Sequence, residues 1–293
     1  DHVTSTRDKL LDSNGYPLNA ADRKIVEQAA KDVLDFLDKN PLPLLTSTEE
    51  KKKDFDKKVA NLLAKKELGN YSKELLNRIK DKDDALSKFT SPDERKLIES
   101  MANEALNFLD KTPNASLADI ENKKKQMEAK VDPIVKRADK AQKLLDYANK
   151  SLKDLENGNK PPVLDLSNLK KEVNSLSEYL EKQAKTAHGL TPEDLQRKKR
   201  ELKKIIRDTQ HKKDQQNELA KHINNFRKRM LNAKVQQNVN PFEKKKVDDT
   251  LNNAENFLNK NSNPKITELL NKKKEVTTTA LPVIEKAELR SEF

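Results

Sequence analysis

Ser91-Pro92-Asp93-Glu94-Arg95-Lys96-Leu97-Ile98-Glu99-Ser100-Met101-Ala102-Asn103-Glu104-Ala105-Leu106-Asn107-Phe108-Leu109-Asp110-Lys111 reads as one complete helix with both ends marked. Ser91 is an N-cap residue, and Pro92 sits at the first helical position, where its missing N–H costs nothing. Asp93 and Glu94 set negative charge against the positive end of the helix dipole. Leu97, Ile98, Met101, Ala105, Phe108 and Leu109 then recur at three- and four-residue steps and share one face. The spacing predicts an amphipathic helix over Pro92–Lys111 that buries this face against other elements.

Outward from this stretch, its final residues return along the chain. Phe36-Leu37-Asp38-Lys39, Phe108-Leu109-Asp110-Lys111, Tyr179-Leu180-Glu181-Lys182 and Phe257-Leu258-Asn259-Lys260 follow one another at 72, 71 and 78 residues. A near-constant period marks serial copies of one structural unit. The copies predict short helices over about Ala20–Lys39, Pro92–Lys111, Leu166–Lys185 and Pro241–Lys260. Each is followed by a turn: Asn40-Pro41-Leu42-Pro43, Thr112-Pro113-Asn114-Ala115, His188-Gly189-Leu190-Thr191 or Asn261-Ser262-Asn263-Pro264. Longer helices follow over about Ser47–Lys80, Ser116–Leu155 and Pro192–Ala233, with a last one starting near Lys265.

The long segments carry a second register. Phe55, Met127, Leu202 and Val276 form one column, and Val59, Val131, Ile206 and Ala280 lie four residues later. The cationic triplets Lys51–Lys53, Lys123–Lys125, Lys198–Arg200 and Lys272–Lys274 precede that column. Pro133-Ile134 and Pro282-Val283 follow it in two copies, and Gly69-Asn70 falls later in the first. Proline inside a helix removes a hydrogen bond, so bends or breaks are expected near the middle of these segments. The expected fold is all-α: a tandem helical-repeat rod of three-helix-bundle units, with long helices shared between neighbouring bundles. The repeats fall at 1–64, 65–138, 139–210 and 211–293. The first keeps only about Thr4–Leu11 of a leading helix, so the chain reads as an excerpt of a longer array. The aromatics Phe36, Phe108, Tyr179 and Phe257 are expected to anchor each bundle core.

Composition agrees with long helices. Charged residues make up 37% of the 293 and apolar ones 33%, with only 4 Gly, no Trp and no Cys. The absence of Cys excludes disulfides, thiolate metal sites and a cysteine nucleophile. No apolar run reaches the 18 or so residues of a membrane span. The net charge of +11 permits binding to acidic partners. Because Asp or Glu lies close to most Lys runs, solvated helix faces are the expected role for most of that charge.

Chemistry-bearing patterns are sparse. His2, His188, His211 and His222 form no His-x3-His pair. Asp81-Lys82-Asp83-Asp84 lacks the Gly and the bidentate Glu of a calcium loop. No Gly-x-Ser-x-Gly elbow or Gly-rich phosphate loop occurs. Aromatics are not interleaved with Lys in the manner of single-strand stacking platforms. No enzymatic activity, cofactor, metal or small-molecule substrate is expected.

Within the second repeat, Leu68-Gly69-Asn70-Tyr71, Phe89–Lys96, Phe108-Leu109-Asp110, Ala118–Glu128 and Pro133-Ile134 resemble the C-terminal helical lid of the seventy-kilodalton heat-shock chaperones. The likeness covers about seventy residues. In that family the lid occurs once, behind an ATPase domain and a peptide-gripping β-sandwich, and its helix-end aromatic is Trp rather than Phe or Tyr. The resemblance therefore implies a helical bundle that contacts other proteins, and carries over neither ATP hydrolysis nor peptide clamping.

Together these readings point to a structural or scaffold protein, acting as spacer, filament or cytoskeletal component. A chaperone-related adaptor and a secreted or surface adhesion array are the alternatives. Expected partners are other proteins, among them further copies of the chain and acidic surfaces such as tubulin tails. Sequence-specific nucleic-acid binding is not expected, and the expected setting is cytoplasmic.

Overall fold

The computed structural model describes residues 1–157, 164–186 and 189–291, and the turn residue His188 lies outside them. The chain is all-α, with no strand among the described residues. In order the helices are α1 (His2–Leu11), α2 (Ala20–Lys39), α3 (Leu45–Lys80), α4 (Ala85–Lys88), α5 (Pro92–Lys111), α6 (Leu117–Asn157), α7 (Ser167–Ala184), α8 (Pro192–Met230), α9 (Ala233–Asn238), α10 (Pro241–Lys260) and α11 (Ile266–Arg290).

The short helices begin by one device. Asn19, Ser91 and Asn240 each accept the backbone N–H of the residue three positions on, namely Asp22, Glu94 and Glu243. Glu94 also reaches back to accept the Ser91 N–H at 2.9 Å, completing a capping box. These contacts satisfy donors that a helix start otherwise leaves unpaired.

The long helices run without the expected interruption. Pro133 lies inside the 41 residues of α6 and Pro282 inside the 25 of α11. Both prolines are exposed, as are Ala129 and Thr278 four residues earlier. The carbonyls the prolines leave without a helical partner therefore face water, so the helix continues. Gly69-Asn70 does not break α3 either. Gly69 is buried, and a Cβ built there would lie 2.2 Å from Cγ of Tyr16. Glycine here serves close packing of an aromatic ring rather than a bend.

The chain divides into two compact units: Asp1–Gln142 with Leu180–Pro192, and Lys143–Tyr179 with Glu193–Phe293. In the first unit α3 packs on α1 and α2, and also on α4 and α5. Phe55, Val59 and Leu62 of its first half join Leu10, Leu18, Val26, Ala29, Ala30 and Val33 in one apolar cluster. Leu68 and Leu75 of its second half are fully buried as well. In the second unit α11 packs on α9 and α10. Leu219, Ile223, Phe226 and Met230 of α8 close that cluster with Val247, Leu251, Val276 and Ile284.

The register columns sit in these interiors. Phe55, Met127, Leu202 and Val276 are all buried; Val59, Val131 and Ala280 are buried and Ile206 is half-buried. The helix-end signature behaves differently. Phe36, Phe108, Tyr179 and Phe257 are only half-buried, whereas Leu109, Leu180 and Leu258 are buried. In α5 the buried face runs through Ile98, Met101, Ala102, Ala105 and Leu109. Leu109 continues it by a four-residue step, and Phe108 lies one helical step of about 100° to the side. The leucine anchors the core, and the aromatic lids its edge. In the first copy Leu37 itself is 37% exposed.

Candidate protein-docking groove

The signature of the first copy opens onto a groove. Val33 and Phe36 of α2 and Phe55 of α3 line a cavity of about 400 Å³ with Ala29 and Asn40. Phe36 and Phe55, which belong to different registers of the sequence, thus meet at one site. Asp32, Asp35, Lys39, Lys51, Asp54 and Lys58 rim it. The Lys51 ammonium lies 5.6 Å from the Phe36 ring centroid, and Lys58 donates to Asp32 at 3.1 Å. A hydrogen bond from Gln28, with that from Lys58, holds the Asp32 carboxyl below the usual carboxylate range. Asp32 is therefore a fixed anion rather than a proton donor near neutrality.

The chain leaves this groove at Asn40, and the apolar residues of the turn and of the first position of α3 face water. Leu42 is 97% exposed, Leu44 74% and Leu45 75%. The second and fourth copies carry Asn114 and Asn263 in place of Leu42, and Ser116 and Lys265 in place of Leu44, so the shared register does not require these two, whereas Leu45 matches Leu117 and Ile266. Phe55 and Val33 are themselves buried, so Phe36 supplies most of the accessible apolar floor, and exposed apolar residues close to it along the chain mark a contact surface. Among the described residues, no group of three or more His, Cys, Asp or Glu is placed to hold a metal ion.

The remaining register residues serve packing at separate places. Met127 receives a contact from the Ser72 hydroxyl at 3.7 Å within the first unit. Tyr179 is engaged by α8, accepting from Arg197 at 2.6 Å, donating to Asp194 at 2.9 Å, and lying under the Lys198 ammonium at 4.7 Å. Leu202, Val276, Leu258 and Phe257 belong to interiors or their edges, and Pro133 and Pro282 to exposed helix faces.

Two arrangements escape a sequence reading. The loop between α1 and α2 is latched onto α3 and the end of α5: the Tyr16 N–H donates to Asn70 at 2.5 Å, the Tyr16 hydroxyl donates to Asp110 at 3.0 Å, and Lys73 donates to the Gly15 carbonyl at 2.9 Å. Burial and Asp110 push the Tyr16 phenol up to about 12. A clamp also recurs between short and long helices. Asp22 pairs with Lys65, Glu94 with Arg137 and Glu243 with Lys286, each pair 43 residues apart. The acid is always the residue that donates its N–H to the helix cap. The signal existed in the sequence as an acid three residues past the cap, but its basic partner could be located only by folding.

This geometry defines an all-α protein that presents a charge-rimmed apolar groove at the end of a helical cluster. The chain is 40% identical over 81 residues to Luminal-binding protein 3 of Nicotiana tabacum, a member of the seventy-kilodalton heat-shock family. The match covers 27% of this chain and 48% of that protein, so the chain spans about half the length of the curated relative. No family model matches the chain, and no solved structure matches it significantly.

Proposed function

We propose that the chain is a non-catalytic, chaperone-related protein-binding module, whose α2–α3 groove and adjoining leucine turn hold an amphipathic helix of a partner protein. The observation that carries this reading is the exposure of Leu42, Leu44 and Leu45 beside the groove floored by Val33, Phe36 and Phe55. A partner's apolar side chain fits the floor, and the alternating carboxylates and ammonium groups of the rim select its flanking polar residues. The likeness to a heat-shock relative supports a chaperone-linked setting.

The test is binding of a fluorescent amphipathic helical peptide and of a hydrophobic dye to the full chain. Burying one leucine contributes roughly 1.5–3 kcal/mol. Replacing Leu42, Leu44 and Leu45 by Ser is therefore expected to weaken peptide binding about tenfold or more and to lower dye fluorescence. Unchanged binding in that variant sinks the reading.

The scaffold reading is the second candidate, favoured by α3, which serves α1 and α2 with one half and α4 and α5 with the other. Four serial repeats with shared long helices would join partners without holding them in a groove. This reading takes precedence if neither peptide nor dye binds.

A further inference from the structure

We propose a second site, independent of the α2–α3 groove: a cationic groove on α8 that docks an acidic peptide segment carrying apolar residues. Within the second unit, Tyr147 of α6 and the α8 stripe around Ile206 line a cavity of about 680 Å³. Arg200, Lys203, Lys204, Arg207 and His211 follow steps of 3, 1, 3 and 4 residues, which places them along one face. The stripe runs for about 16 Å.

These cations are largely free of carboxylates. Lys203 and Lys204 have no acidic partner among the described residues. Arg207 approaches only Asp208, at 3.9 Å, with both side chains well exposed. Arg200 donates to the Gln196 carbonyl at 3.4 Å. The carboxylate of Asp214 in the lining is engaged by Gln210 at 2.8 Å. Among the basic triplets, Lys124 pairs with Glu67, Lys198 with Glu201, Lys272 with Glu275 and Lys273 with Glu218, so the cations left to this groove are those beyond the triplet together with Arg200.

Comparison between copies shows that the fold does not demand the charge of Lys203 or Arg207. Aligned on the buried column Phe55, Met127, Leu202 and Val276, the position of Lys203 holds Asp56, Glu128 and Thr277 in the other copies. The position of Arg207 holds Ala60, Asp132 and Leu281. Lys203 and Arg207 are additions to a scaffold that packs without them, whereas Arg200 matches Lys53, Lys125 and Lys274, and Lys204 matches Lys57; unpaired like charges on one face oppose folding. An acidic occupant removes that cost.

The floor decides the class of occupant. The half-buried Ile206 and the 40% exposed Tyr147 ring make it apolar, which suits a leucine or phenylalanine between acidic residues. A single strand of nucleic acid stacks successive bases on several aromatics, and Tyr147 is the one aromatic in this lining. A second copy of the chain, itself at +11, is repelled.

The test uses the full chain and a short fluorescein-labelled peptide in which pairs of glutamates alternate with leucines, titrated by fluorescence anisotropy. Binding that weakens as salt rises is expected. The variant Lys203→Glu, Lys204→Glu, Arg207→Glu is expected to lose about tenfold or more in affinity. Lys244→Glu, Lys245→Glu, Lys246→Glu makes the same change in net charge on exposed α10 residues, and is expected to stay within about twofold of the parent. Tyr147→Ala is expected to weaken the leucine-containing peptide more than an all-glutamate one.

Equal loss in the two charge variants would reduce the effect to net charge and overturn the site. Tighter binding of oligothymidylate than of the peptide, lost with the α8 cations, would make it a nucleic-acid site and overturn the proposal. Absence of peptide binding to the parent also overturns it. Circular dichroism checks that each variant folds. If the triple glutamate variant does not, Lys203→Gln with Lys204→Gln gives the same comparison with a smaller loss expected.

Discussion

Gly69 and Tyr16 show how one residue's constraint is set by another more than fifty positions away. The ring of Tyr16 lies against α3, where a side chain on Gly69 would come within 2.2 to 2.6 Å of Tyr16 Cγ, Cβ and Cδ2. These are rigid atoms held by the Tyr16 contacts to Asn70 and Asp110, so relief requires expelling the ring. Gly69→Ala gains about 1 kcal/mol of helix propensity but carries an overpacking cost of about 1–3 kcal/mol. Net destabilisation is expected by urea unfolding, and it should shrink when Tyr16→Ala is already present. The same latch sets an alkaline limit. With the Tyr16 phenol at about 12 in the fold, against about 10 in the unfolded chain, its contribution is fully present below pH 10 and lost as pH rises through 12. Burial and Asp132 push Tyr71 in the same direction. Tyr16→Phe should flatten the fall in the urea midpoint between pH 10 and 12; an unchanged profile would show that the latch does not form. None of this is legible in the sequence, where Gly69-Asn70 reads as a helix breaker, because periodicity says nothing about which loop lies over a glycine.

At the scale of helices the sequence was far more informative, for a local reason. α2, α5 and α10 span the residues that their caps and closing lysines mark, since an N-cap side chain and the helix it starts lie within four residues of each other. α4 and α9 were not legible: at 4 and 6 residues they are too short to show a period. The groove was half legible, because Phe36 and Phe55 stood out as register positions while their meeting depends on how α2 crosses α3. Of the α8 cations only Arg200 stood out, as the end of the Lys198–Arg200 triplet; that Lys203, Lys204 and Arg207 share its face without acidic partners is settled by packing. The recurring clamp carries a prediction that turns on burial. Lys65 and Asp22 have side chains only 5% and 11% exposed, whereas Lys286 and Glu243 are 52% and 24% exposed. Removing one partner of a buried pair strands the other charge, at about 3–5 kcal/mol, while a solvent-screened pair contributes little. Lys65→Ala is therefore expected to lower stability several-fold more than Lys286→Ala in chemical denaturation, although the two sit at one place in the repeat. Equal effects would mean that burial does not govern the clamp.

For the molecule as a whole, acid should act on one compact unit more than on the other. The cluster of α1–α3 and that of α8–α11 are built from separate sets of buried residues, and each holds its own titrating group. The Tyr16 latch belongs to the first unit and gives it an alkaline limit, and burial with Asp194 pushes Tyr179 of the second unit in the same direction. The second unit holds His222, whose imidazole meets the Thr277 hydroxyl at 2.6 Å and the Phe226 ring edge-on at 4.7 Å. Burial first, and the Lys273 ammonium second, push His222 below the ordinary histidine value. Its folded form is therefore neutral, and the stability it contributes is present above about pH 6.5 and lost as pH falls, because the unfolded chain takes up the proton first. Hydrogen exchange followed from pH 7.5 to pH 5 is expected to show amides of α8–α11 losing protection while those of α1–α3 keep theirs. In His222→Gln, which cannot be protonated in this range, the difference between the two pH values should largely vanish. A uniform loss across both clusters, or an unaltered acid response in His222→Gln, would place the acid sensitivity in the carboxylate pairs spread over both units instead.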